Sequence, residues 1–79
     1  MWYVYLVLCK DQSIYTGITN NLKQRFKQHQ DGKGGKYTRS HKVAKILHSE
    51  KKHTRSTALK REAQIKSWPR EKKLQLIKR

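Results

Sequence analysis

Acidic side chains are scarce in this sequence. Five Asp and Glu stand against twenty Lys and Arg among 79 residues, a formal net charge of +15. Such a density of one sign repels itself unless a polyanion is present. A nucleic acid is the expected partner, because phosphate neutralisation supplies most non-specific affinity for basic proteins. An anionic membrane surface is the rival, but no segment has the bulky apolar face of an interfacial helix. No apolar run approaches the ~18 residues of a membrane span. The start, Met1-Trp2-Tyr3, lacks the basic region, apolar stretch and small-residue cleavage site of a secretory signal. These absences together lead us to expect a cytoplasmic protein that acts as a monomer away from membranes.

Cysteine is nearly missing as well. Cys9 stands alone, which excludes an internal disulfide and a cysteine-based metal site. It falls in an apolar run and reads as a small core residue. The four histidines, His29, His41, His48 and His53, are scattered without zinc-ligand spacing. Lys33-Gly34-Gly35-Lys36 is glycine-rich, yet it lacks the Gly-x-x-x-x-Gly-Lys-Ser/Thr pattern and preceding strand of a nucleotide loop. It reads instead as a basic loop that contacts phosphates. No repeat or low-complexity linker divides the chain, so residues 1–79 are expected to form one domain. Only 34% of residues are apolar, so its core must be compact.

What the chain does have is concentrated at its start. Trp2 to Cys9 and Ile14 to Ile18 are β-rich runs flanking a short polar stretch, the pattern of a hairpin. In the first run Trp2, Val4, Leu6 and Leu8 share one face, and Tyr3, Tyr5, Val7 and Cys9 the other. Both faces are apolar, which predicts a central strand covered on each side. A loop of Asp11-Gln12-Ser13 would set Tyr5 opposite Thr19 and Val7 opposite Gly17, with Tyr15 and Gly17 on the Tyr5 face.

Beyond the hairpin, a helix is expected from a cap at Thr19 or Asn20 to about Gln30, with Leu22, Phe26 and His29 inward and Arg25 adjoining. Asp31-Gly32 would end it. Residues 42–48 read as a third, shorter strand whose lysines suit an edge. A second helix would be capped by Thr54 or Ser56, with an inward stripe of Ala58, Leu59, Glu62, Ala63 and Ile65 and with Trp68 near its end. Pro69 would stop it and open a third helix over roughly 69–78, with Leu74 and Ile77 inward. The order β-β-α-β-α-α does not alternate strictly. It predicts an α/β fold of the α+β type, a three-stranded antiparallel sheet flanked by helices.

Few residues can carry chemistry. Glu62 lies on the apolar stripe of a basic helix, and an inward carboxylate is costly unless something compensates it. A salt bridge to Arg25 or a nearby lysine is the plain reading. The functional reading is a ligand for a hard cation such as Mg²⁺, which takes one or two protein carboxylates and fills its shell with water and substrate phosphate. Arg25 and His29 are four apart and share a helix face. Tyr3, Tyr5 and Tyr15 would ordinarily be core residues. Near phosphate a tyrosine can instead bond it or take a proton from water, once cations lower its pKa from about 10. Gly17 opens room for a close approach.

Taken in order, these residues resemble the GIY-YIG nuclease superfamily, in its small stand-alone bacterial branch. Tyr3-Val4-Tyr5 stands for the first tripeptide and Tyr15-Thr16-Gly17 for the second. Arg25 follows Tyr15 by ten residues and His29 comes four further on. The likeness continues through Gly32-Lys33-Gly34, Lys36-Tyr37-Thr38-Arg39 and Arg61-Glu62-Ala63-Gln64-Ile65-Lys66. The resemblance implies an endonuclease hydrolysing DNA phosphodiester bonds with a single divalent ion, Mg²⁺ or Mn²⁺, in DNA repair or the processing of structured DNA. It implies that Tyr5 and Tyr15 sit in the site and that one of them, Tyr5 by preference, serves as or positions the general base. Arg25 would stabilise charge on the phosphoryl group, His29 would orient a phosphate oxygen or the water, and Glu62 would hold the metal. Lys33, Lys36, Tyr37, Arg39 and Arg61 are the expected nucleic-acid contacts.

Two features depart from the family pattern. Tyr3 replaces a glycine, and residues 66–79 contain no counterpart to the late asparagine of many members, only Gln75. The alternative reading is accordingly a non-catalytic nucleic-acid-binding module that retains the fold, with RNA as well as DNA open as ligand. A third is an interaction module recruited by a larger repair complex.

Overall fold

The computed structural model describes residues 1–31 and 43–77. Three strands, β1 (Trp2–Cys9), β2 (Ile14–Thr19) and β3 (Val43–Lys52), form one antiparallel sheet in the order β2-β1-β3. Helix α1 (Leu22–Gln30) lies between β2 and β3 in the chain, and α2 (Arg55–Lys66) and α3 (Arg70–Ile77) follow β3. This is the expected β-β-α-β-α-α order and α+β architecture. Among the described residues no helix is long and apolar enough to cross a membrane.

The two apolar faces of β1 nucleate two small cores. Val4 and Leu6 pack with Ala58 and Ile65 of α2, and Trp2, Ile14, Ile18, Trp68 and Ile77 close around them. Tyr5, Val7 and Cys9 pack with Val43 on the other face, against Leu22 and Phe26 of α1 and against Tyr15 and Ile46. Val4, Leu6, Val7 and Cys9 are wholly inaccessible. A strand buried on both sides needs no polar alternation, and β1 has none.

The hairpin register differs from expectation by one step of the pleat. Tyr5 lies opposite Gly17 and Val7 opposite Tyr15. The loop is Lys10-Asp11-Gln12, a residue earlier than expected. The Gln12 N–H donates to the Cys9 carbonyl at 2.9 Å, and the Cys9 N–H donates to the Ser13 carbonyl at 2.9 Å. Gln12 takes φ 73°, the left-handed residue that closes a three-residue hairpin. Asp11 accepts from the Ser13 N–H at 3.0 Å and stabilises the turn. A shift of two keeps parity, so Tyr15 and Gly17 still share the Tyr5 face.

Other differences are local. The cap of α1 is Asn21, whose Oδ1 accepts from the Gln24 N–H at 3.1 Å, while Thr19 and Asn20 precede it. Thr19 instead accepts from the Asn21 N–H at 3.1 Å. β3 runs to Lys52 rather than His48, because Ser49 to Lys52 continue the ladder along β1 from Tyr5 to Trp2. Thr54 caps α2 in a reciprocal box with Thr57. Leu59 and Ala63 face solvent, and the buried line of α2 is Ala58 and Ile65 alone. In α3, Leu74 is exposed, and Leu76 joins Ile77 on the inner side. The Pro69 carbonyl accepts from the Lys72 and Lys73 N–H groups, which puts Pro69 just before the helix.

Candidate active site

The site grows from one cross-strand pair. Tyr5 of β1 faces Gly17 of β2, and the Tyr5 ring lies over the glycine. A β-carbon on Gly17 would come 2.6 Å from the Tyr5 hydroxyl, 2.8 Å from Cζ and 3.1 Å from a Tyr15 ring carbon. Any side chain there would collide with the ring. Glycine at this position lets a tyrosine lie flat across the sheet and carry its hydroxyl toward the β2 edge.

Helix α1 supplies the partners. Its Asn21 cap sets the helical phase, and the Leu22 and Phe26 contacts turn Arg25 and His29 toward the sheet. The Tyr5 hydroxyl and His29 Nε2 are 2.8 Å apart. Arg25 Nε donates to the same hydroxyl over a longer, weaker 3.4 Å, and its Nη1 donates to Gln28 Oε1 at 3.3 Å. Arg25 can only donate, so the hydroxyl accepts from it; in the His29 tautomer with Nε2 unprotonated, the hydroxyl also donates to that nitrogen. Tyr5, Tyr15 and His29 form a triangle of rings, with centroids 5.5 to 6.4 Å apart.

Burial and charge fix the protonation states. His29 is 1% exposed, and burial together with the Arg25 guanidinium pushes its pKa down from 6.5 to about 4. It is a neutral acceptor at neutral pH. Burial raises the Tyr5 hydroxyl above its ordinary value, against the pull of the Arg25 hydrogen bond, and the Tyr15 and Glu62 charges add to the rise. Tyr5 is therefore a neutral phenol here. Tyr15 is half-buried and more open to solvent than Tyr5, which is 2% exposed.

Glu62 approaches from α2 on the other side of the sheet, close enough for its charge to act on Tyr5. Its side chain is 18% exposed, and Lys66 Nζ pairs with it at 3.6 Å, one helical turn on. The salt-bridge partner is thus Lys66 rather than Arg25. Among the described residues no group of three His, Cys, Asp or Glu side chains is placed to hold a metal. A lone accessible carboxylate fits a hard cation that draws most of its ligands from water and substrate phosphate. It does not fit zinc, which wants three or four protein ligands.

The sequence gives the same constellation in order. It matches the GIY-YIG catalytic domain over residues 1–75. The chain belongs to the GIY-YIG family. A UPF0213 protein of Haloquadratum walsbyi is 50% identical over 74 residues, covering 94% of this chain and 83% of the relative. One from Oceanobacillus iheyensis is 48% identical over 75 residues, covering 95% and 87%. The solution NMR structure of a UPF0213 protein from Bacillus halodurans superposes with a TM-score of 0.62 at 38% identity, covering 98% of this chain and 83% of that one.

Within this GIY-YIG fold, Tyr5, Tyr15, Gly17, Arg25 and His29 converge, with Glu62 nearby. Lys33, Lys36, Tyr37 and Arg39 lie outside the described residues. Arg61 is engaged within the chain: it grips Glu50 of β3 through Nε at 2.8 Å and Nη2 at 3.0 Å. Its guanidinium also lies 5.1 Å from the Trp68 ring centroid. Its Nε and Nη2 groups are thus engaged within the chain. Sequence reasoning passed over Glu50 and Gln28. The scarcity of acids was a signal for Glu50, as it was for Glu62; Gln28 carried none.

Proposed function

We propose that this GIY-YIG chain is a metal-dependent endonuclease that hydrolyses phosphodiester bonds in DNA. The observation that carries the reading is the hydrogen-bonded series Arg25, Tyr5 and His29, built over Gly17 beside Glu62. Hydrolysis needs a fixed cation on the phosphoryl oxygens, a route for the proton leaving water, and compensation of phosphate charge. Arg25 supplies the cation, and Gln28 steadies its far nitrogen. Glu62 would hold Mg²⁺ or Mn²⁺, which when bound would neutralise phosphate charge.

The proton route runs through a tyrosine. A neutral phenol cannot take a proton outright, but it can pass one on. As the water oxygen bonds to phosphorus, its proton would move to the Tyr5 oxygen while the Tyr5 hydroxyl proton passes to His29 Nε2. The P–O ester bond breaks, and its oxygen leaves as an alcohol once it takes a proton from solvent. His29 is a weak base beside Arg25, but an incoming phosphate cancels that cation and makes the imidazole easier to protonate. Tyr15, the more accessible ring, would help hold the water beside Tyr5. Tyr5, buried between two partners, serves as the relay.

The test is cleavage of single-stranded, duplex, flapped and branched DNA, with and without divalent metal. Wild type nicks DNA only with Mg²⁺ or Mn²⁺. Arg25→Ala and Glu62→Ala lose ~100-fold or more while still binding, in line with loss of a charge-stabilising group. Full activity in the Arg25→Ala/Glu62→Ala double variant would remove the site. The missing late asparagine supports the second reading, a binding module that retains the fold. It predicts salt-sensitive binding with no cleavage under any divalent metal.

A further inference from the structure

We infer that the Glu50–Arg61 pair is a positioning device, which fixes the rotation of α2 about its own axis and so places the Glu62 carboxylate. The part about Glu62 rests on the nuclease reading above; the clamp itself does not. Apolar burial holds α2 only along a thin line. Ala58 and Ile65 are buried, Leu59 and Ala63 face solvent, and one of the two anchors is a single methyl group. Two contacts on one line resist sliding better than rolling.

Arg61 lies to one side of that line and reaches β3. Nε and Nη2 meet the two oxygens of Glu50 at 2.8 and 3.0 Å, the forked geometry that fixes orientation as well as distance. Nη1 donates to Gln64 Oε1 at 2.8 Å, one turn on in the same helix. Glu50 in turn meets His48 Nε2 at 2.9 Å and Lys52 Nζ at 3.7 Å, and it sits opposite Val4 of the central strand. The clamp thus ties α2 to β3 at a point paired with the central strand.

Glu62 is the next residue, about 100° around the helix. With the Arg61 side anchored to β3, Glu62 lies on the other side of the buried Ala58–Ile65 line, and its charge reaches Tyr5. A carboxylate carried roughly 6 Å from the axis moves about 2 Å when the helix rolls by about 20°. A misplacement of about 1 Å can cost ~100-fold in rate.

The rival role for Arg61 is a phosphate contact, and the two predict opposite behaviour for its partner. If Arg61 binds phosphate, Glu50→Gln frees it and tightens DNA binding, whereas Arg61→Gln weakens binding. If the pair is a clamp, both variants behave alike and the double variant is no worse than the worse single one.

The decisive readout is the set of one-bond N–H residual dipolar couplings of α2, referred to those of the sheet. The inference predicts that the α2 couplings change in Glu50→Gln and in Arg61→Gln, while sheet couplings stay put. Glu50→Gln keeps one acceptor oxygen and is the milder variant should Arg61→Gln unfold. In parallel, cleavage falls about tenfold in each variant with KM for DNA and the salt dependence of binding unchanged, as expected of a displaced group rather than a lost contact. Wild-type couplings in folded Glu50→Gln would overturn the clamp. Changed couplings with no cleavage even in wild type would sink the nuclease reading and leave the clamp standing.

Discussion

Gly17 shows how a residue with no side chain can specify a site. The sequence marked it as an opening for close approach, and the register shows what comes close: the Tyr5 hydroxyl, 2.6 Å from a virtual β-carbon. Gly17→Ala must push aside a ring pinned by His29 and Arg25. It is expected to cost about 1–3 kcal/mol, the usual range for overpacking, in a urea titration. Thr16 is the converse case. It is 3% exposed and its hydroxyl has no hydrogen-bond partner among the described residues. Thr16→Val keeps the shape and removes that hydroxyl, so thermal stability should rise rather than fall. Of the site residues, Tyr5, Tyr15, Arg25, His29 and Glu62 were visible as types at a spacing. Their protonation was not, because it follows from burial in three dimensions.

Among the elements, the hairpin faces were legible and the register was not. Alternation fixes which side chains share a face, whereas pairing depends on where the three-residue loop begins and on whether Gln12 adopts a left-handed backbone. Gln12→Gly removes that strain and is expected to stabilise the hairpin by about 1 kcal/mol. Melting temperatures of the two proteins check it, and a fall would mean the Gln12 side chain contributes more than its backbone costs. Helix α2 was legible as a helix with an inward Glu62. Its inward stripe was drawn too wide: Leu59 and Ala63 were assigned inside on hydrophobicity, but a helix seated by Ala58 and Ile65 turns them out. Leu74 of α3 was misplaced in the same way. In a short helix with few apolar residues, several phases fit one pattern, and an ion pair decides among them.

At the scale of the whole molecule, two buried or half-buried groups couple stability to pH. His29 has a folded pKa of about 4 against 6.5 ordinarily, so the unfolded chain binds the proton more readily between those values. Stability is therefore lost as pH falls from 6.5 toward 4, by on the order of 3 kcal/mol. Glu50 is held down to about 2 from 4.5, first by its Arg61 hydrogen bonds. Its contribution is present above 4.5 and is lost as pH falls toward 2. Urea midpoints measured from pH 7 to 3 should decline in two overlapping legs, with His29→Gln flattening the upper and Glu50→Gln the lower. The net charge of +15 was the plainest signal in the sequence, and it speaks of a polyanion rather than of a reaction. DNA binding should accordingly fall steeply with salt even in variants that no longer cut. In the proposed function, the relay from Tyr5 to His29 is the step that makes hydrolysis possible, and Tyr5→Phe tests it with one oxygen atom. With Mg²⁺ and a single DNA substrate, Tyr5→Phe should bind as wild type does and cleave at least ~100-fold more slowly, the scale of lost acid–base catalysis. Cleavage by folded Tyr5→Phe at the wild-type rate would contradict the account.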